Sequence, residues 1–226
     1  MWFTRKNDVP HQRTCRLLMS GYIAFVLIAG IVNIAKGRPF YYLTLFSSSL
    51  IFPLMYGLYH FTGIRRAYRM DAVIYLYTFF ALPLGVGCAL YDTVPYYDKI
   101  MHGLSGILTM TLALPFYYLL KPGKRPERAD APQAIVFCVL CTLAVASIWE
   151  FGEYFVGLLT PRDPQNTLNG VHDTMQDMMV CCAASLTTIP SMIRYYKTGA
   201  ADMFMTTFKS FADTNHLPAP SPRETA

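Results

Sequence analysis

The chain has 226 residues, of which 54% are hydrophobic and only 15% charged, with a net charge of +5. Soluble domains carry about 25% charged residues, so this deficit and the positive mean hydropathy point to a membrane class and away from a soluble enzyme. The basic residues are not grouped like a nucleic-acid face, and the length leaves room for one membrane domain without a separate soluble one.

In chain order, a polar and basic segment ends at Arg16, and an apolar run of residues 17–35 follows. It lacks the short apolar core and small-residue cleavage site of a signal peptide, so it is expected to be an uncleaved first span. The second run, 40–61, contains Pro53, which predicts a kink. The third, 72–90, carries Pro83 and two small glycines, and the fourth is 99–120. The fifth, 132–159, includes Glu150 and Glu153, and the sixth, 174–195, has Asp177 in its first turns. Runs of about 20 residues match the thickness of a bilayer as helices, and the alternation of a barrel strand is missing. The expected fold is all-α: a polytopic membrane helix bundle with six transmembrane helices over residues 1–198.

Orientation follows from the lysines and arginines. Fifteen of the nineteen lie in the N-terminal segment, the loops after spans two and four, and the C-terminal segment. That bias predicts both termini in the cytoplasm and the loops after spans one, three and five outside. The reading implies a multi-pass protein of a bacterial inner membrane, with lipid as its surroundings and no nucleic-acid partner. Beyond the sixth span, Phe204, Phe208 and Phe211 share one helical face, predicting a short interfacial or amphipathic helix in a cytoplasmic segment 199–226. The Pro-rich end after Leu217 reads as disordered. Cys138 and Cys141 have the spacing of a redox or zinc motif, but their apolar neighbours favour plain packing.

Three segments place ionisable groups where hydrocarbon is expected. Asp98 and His102 open span four, Glu150 and Glu153 stand near the end of span five, and Asp173 and Asp177 open span six. Each pair has i,i+3 or i,i+4 spacing and so shares one helix face. Residues 132 to 150 cover about 27 Å of helix, which sets Glu150 near the outer edge of the hydrocarbon. The topology thus brings all three pairs to one depth, near the outer face. Ser105, Thr109, Ser147, Cys181, Ser185 and Thr188 continue these faces inward, as expected if the faces meet one another, and Gly103 and Gly106 permit close helix approach.

Five carboxylates here have only Lys99 and Arg162 nearby as fixed positive charges. Unpaired charge is costly in a low dielectric, so either protons or a bound cation must balance it. The predicted metal ligands are Asp98, His102, Glu150, Glu153, Asp173 and Asp177, with His172 a weaker candidate. Two histidines among oxygen donors suit Zn²⁺, Mn²⁺ or Fe²⁺, and carboxylates alone suit Mg²⁺ or Ca²⁺. Glu150 and Glu153 are the candidate catalytic groups of a metal-dependent membrane hydrolase acting on a lipid or small polar substrate at the outer leaflet. The alternatives are a proton- or cation-coupled transporter and a non-catalytic membrane scaffold. A carboxylate-bridged dimetal oxidase ranks lower, because Glu-x-x-His is missing.

The stretches Tyr97-Asp98-Lys99-Ile-Met-His102-Gly-Leu-Ser105-Gly106, Trp149-Glu150-Phe-Gly-Glu153 and Asp173-Thr174-Met-Gln-Asp177 together resemble the YjdF-type bacterial inner-membrane proteins, from about residue 97 to 195. More remotely they are similar to VanZ-like membrane proteins, which often carry Gln where Glu153 stands. The resemblance implies an integral membrane protein and brings no reaction with it.

Overall fold

A computed structural model describes residues 11–121, 127–165, 168, 170–218 and 220. Arg5, Lys6, Lys124, Arg125, Arg223 and most of the Pro-rich end lie outside the described residues. Helices make up the regular structure of the described residues, with no strand, as the apolar runs predict. Five helical segments are long and apolar enough to cross a membrane: Gln12–Ala35, Pro39–Thr62, Tyr68–Val86, Tyr97–Leu120 and Arg128–Leu159. The chain divides into two units, residues 1–94 and 95–226.

The first unit holds α1 (Gln12–Ala35), α2 (Pro39–Ser48), α3 (Ile51–Thr62), α4 (Tyr68–Phe79) and the short α5 (Leu90–Thr93). Proline explains its irregularities. A proline cannot donate to the carbonyl four residues back and its ring crowds that carbonyl. Pro53 accordingly sits four residues past the break at Ser49–Leu50 that separates α2 from α3. The Tyr22 hydroxyl donates to the Ser48 carbonyl at this break, 3.2 Å away. Pro83 lies inside a π-helical stretch, Phe80–Val86, which continues α4 and lengthens the hydrogen-bonded ring around the missing donor. Tyr22, Phe52, Phe79 and Tyr75 pack edge to face as the core of this unit.

An ionic network that no sequence motif signals lies at the start of α4. Asp71 is fully buried and accepts from Arg66 Nε at 2.5 Å and from the Tyr59 hydroxyl at 2.6 Å. Arg66 also donates to the Tyr75 hydroxyl at 3.1 Å.

The second unit holds α6 (Tyr97–Leu120), α7 (Ala131–Leu159), α8 (Val171–Leu186), α9 (Ile189–Thr198) and α10 (Thr206–Thr214). The predicted sixth span is divided between α8 and α9. Pro190 lies four residues past Leu186, the last residue of α8, and the chain turns at Thr187–Thr188. Neither piece is long enough to cross a bilayer alone.

The C-terminal helix forms, but its phenylalanine face is turned into the protein and is not an interfacial surface. Gly199 ends α9 in the left-handed conformation, which glycine adopts without steric cost, and the chain folds back along α6. The Thr111 hydroxyl donates to the Phe204 carbonyl, 3.4 Å away. Phe208 and Phe211 are buried, and Phe208 stacks on Tyr118 at 5.5 Å and meets Tyr195 edge-on at 5.6 Å. The Tyr118 and Tyr196 hydroxyls are hydrogen-bonded to each other.

Candidate functional site

The site lies where the N-terminal ends of α6 and α8 meet the C-terminal part of α7. Gly106 makes this meeting possible: a Cβ there would collide with the backbone carbonyl of Cys181 on α8. Gly103 is less constrained, since its nearest neighbours, Val180 and Ala184, stand 3.6 and 3.8 Å from where a Cβ would be. Ser105 Oγ and Cys181 Sγ are 3.4 Å apart across the same contact. Cys181 and Ser185 on α8, and Thr188 just beyond it, are buried, so this small polar stripe faces protein. All six cysteines are free thiols.

Helix α7 has two distinct faces near its end. Phe151, Tyr154 and Phe155 are exposed, whereas Glu150 is only 4% exposed and turns inward. His102 at 5% and Asp177 at 1% are equally enclosed. His102 Nε2 is 3.4 Å from Asp98 Oδ1, 3.8 Å from Glu150 Oε1 and 3.8 Å from Asp177 Oδ1. Glu153 is half-buried and accepts from the Trp149 indole N–H at 2.8 Å.

The six residues singled out in the sequence are thereby gathered into three overlapping groups. They are Asp98, His102 and Glu153; His102, Glu150 and Asp177; and Asp98, Asp173 and Asp177. Within each group one donor atom per residue lies within 4.8 Å of the others. His172 is exposed and belongs to none of the three.

One member of the site carries no flag in the sequence reading beyond its charge. Lys99 Nζ lies 2.7 Å from Asp173 Oδ1, 2.7 Å from Asp177 Oδ1 and 3.3 Å from Asp98 Oδ2. It is the hub of the three-aspartate group. Its position in the Asp-Lys-x-x-His stretch, next to an acidic residue at the opening of a span, is the signal that points to it.

Electrostatics set the demand on this site. Lys99 answers one of five carboxylates' worth of charge. Among the described residues, neither side-chain oxygen of Glu150 has a hydrogen bond of good geometry, although the Thr174 hydroxyl and the Gln165 amide stand close enough to act on its charge. The nearby Gln165 amide is directed instead to the Glu150 main-chain carbonyl and the Thr174 hydroxyl, both at 3.3 Å. A buried carboxylate without a well-formed hydrogen bond, beside an imidazole nitrogen and a second buried carboxylate, could hold a divalent cation.

Fold and site together define a multi-pass helical membrane protein whose lipid-compatible helices enclose a carboxylate–histidine cluster able to accept a metal. The chain belongs to the family described as predicted membrane protein (DUF2238), which matches residues 15–198. This agrees with the resemblance to YjdF-type membrane proteins and lends nothing to the remoter likeness to VanZ-like proteins. No curated protein and no solved structure matches the chain.

Proposed function

We propose that this protein is a metal-dependent hydrolase of the bacterial inner membrane, with its centre near the outer face. In this reading six spans cross the bilayer, α8 and α9 together forming the sixth, and both termini are cytoplasmic. The Lys and Arg bias of the loops supports that orientation. The observation that carries the proposal is Glu150, buried and without a well-formed hydrogen bond to its side-chain oxygens, 3.8 Å from His102 Nε2.

His102, Glu150 and Asp177 would hold the ion, with Asp98 and Glu153 at its margin and Asp173 reached through Lys99. Zn²⁺, Mn²⁺ and Fe²⁺ suit the histidine-containing group better than Mg²⁺. When bound, such an ion polarises an ester and makes nearby water a better nucleophile. Glu153 is oriented by Trp149 and is the candidate base for that water, since it stands at the rim of the cluster, clear of its buried core. Asp98 approaches the same ring nitrogen, Nε2, as Glu150 and Asp177, at 3.4 Å, and so would share the ion's margin with them. A substrate entering from the outer leaflet, a lipid or a small polar ester, reaches this rim by way of the half-exposed Asp98.

The test is the metal content of protein purified in detergent, compared with His102→Ala and Glu150→Gln. Metal retained by wild type and lost in both variants supports the reading. Folded wild type that binds no divalent ion and conducts protons in liposomes contradicts it and makes the acids a proton path.

A further inference from the structure

The three acidic groups are not equivalent, because one of them already contains a cation. Lys99 Nζ stands among Asp98, Asp173 and Asp177 at 3.3, 2.7 and 2.7 Å. Those are the three carboxylates of a group whose oxygens are close enough to share an ion. The adjoining group, His102, Glu150 and Asp177, holds no lysine or arginine, and the Glu150 side-chain oxygens have no hydrogen bond of good geometry among the described residues.

Two carboxylates connect the two positions. Asp98 turns Oδ1 toward His102 Nε2 at 3.4 Å and Oδ2 toward Lys99 Nζ at 3.3 Å. Asp177 Oδ1 lies 2.7 Å from Lys99 Nζ and 3.8 Å from His102 Nε2. Carboxylates that serve two cations at once are the hallmark of two-metal sites, where ions sit about 3.5–4 Å apart. Here the same bridging arrangement joins the histidine-containing group to a position filled by an ammonium. A lysine ammonium is a compact point charge, and here it is tethered to α6 by the chain.

We infer that the Lys99 ammonium occupies the place of a second metal ion, so that the centre is built for one exchangeable divalent ion beside one fixed organic cation. This rests on the metal-centre reading above. Its consequence is that removing the ammonium, without touching any carboxylate, opens a second metal position made by Asp98, Asp173 and Asp177.

The test is Mn²⁺ stoichiometry on the full chain in detergent, with folding followed by circular dichroism and monodispersity. Wild type is expected to saturate at one ion per chain, Lys99→Met at two, and Lys99→Met/Asp173→Asn at one. Wild type and Lys99→Met both saturating at one overturns the inference and leaves the metal centre standing. Wild type binding none overturns the metal centre itself, and this inference with it. Should Lys99→Met fail to fold, the wild type decides: electron paramagnetic resonance at saturating Mn²⁺ is expected to show the hyperfine pattern of an isolated ion. The spectrum of an exchange-coupled pair in wild type overturns the inference.

Discussion

Glu150 Oε1 faces His102 Nε2 across 3.8 Å, on helices whose opposite faces carry exposed apolar side chains. The pair is enclosed, and the carboxylate has no hydrogen bond of good geometry among the described residues. A buried, weakly hydrogen-bonded carboxylate among other acids destabilises the metal-free protein. Glu150→Gln should therefore have two opposite effects. Without metal it should raise thermal stability, by about 1–3 kcal/mol. With metal it should lose most of the stabilisation that binding confers, because affinity falls at least as far as the ~10–100-fold lost when an outer partner of a ligand is removed. Thermal unfolding with and without Zn²⁺ or Mn²⁺ reads both effects.

The approach of α6 to α8 depends on a single missing methyl group. Gly106→Ala places a Cβ against the Cys181 carbonyl, and two helix backbones cannot yield as a flexible side chain would. The variant should be destabilised by about 1–3 kcal/mol and should bind metal more weakly, since Asp177 rides on the displaced helix. Gly103→Ala meets only ordinary contacts and should behave as wild type in the same melts.

Asp71 anchors the first unit through Arg66 and Tyr59. Removing one partner of a buried ion pair costs about 3–5 kcal/mol. Arg66 keeps partial access to water, so Asp71→Asn should cost less, about 2–3 kcal/mol. Tyr59→Phe removes one hydrogen bond and should cost about 1 kcal/mol. Detergent melts of the two variants should rank in that order, with metal stoichiometry unchanged in both.

The C-terminal segment should show a defined acid sensitivity. Burial disfavours the Asp202 charge, but a hydrogen bond from Ser191, the Met205 and Phe204 amides and the nearby Arg194 outweigh it and hold the carboxyl below its usual value. A depressed folded value means that the carboxylate stabilises the folded protein above the unfolded value, about 3.9, and that this is lost as pH falls through the folded value. Wild type should therefore melt above Asp202→Asn at neutral pH. The gap should close as pH drops below about 3.9, and a gap independent of pH would contradict the assignment.

The sequence discloses what is local and periodic. Helical spacing alone puts Asp98 with His102, Glu150 with Glu153 and Asp173 with Asp177, because neighbours on one helix face are set by 3.6 residues per turn. That the pairs meet is expected from counting residues and loop charges, and the structure brings their donor atoms together. What depends on tertiary direction is less legible. An amphipathic face such as Phe204–Phe208–Phe211 looks the same in sequence whether it meets lipid or protein, and here Tyr118 and Tyr195 pack on Phe208, with Phe211 buried beside it. Lys99 reads as a lone interfacial charge until Asp173 and Asp177, more than seventy residues away, are brought beside it. The network of Arg66, Asp71, Tyr59 and Tyr75 leaves no motif because two loop-spaced elements supply it. Proline marks the breaks at Ser49–Leu50 and Thr187–Thr188, yet Pro115 sits inside α6 without interrupting it, so a proline alone does not fix where a helix divides.

The most direct measurement of the central claim is anomalous diffraction from crystals of the protein grown with Zn²⁺ or Mn²⁺, collected at the absorption edge of the metal. The account predicts an anomalous peak bounded by His102 Nε2, Glu150 and Asp177, with Lys99 Nζ retained between Asp173 and Asp177. Density for Glu150 directed toward the lipid-facing side of α7, with no peak beside His102, would contradict it.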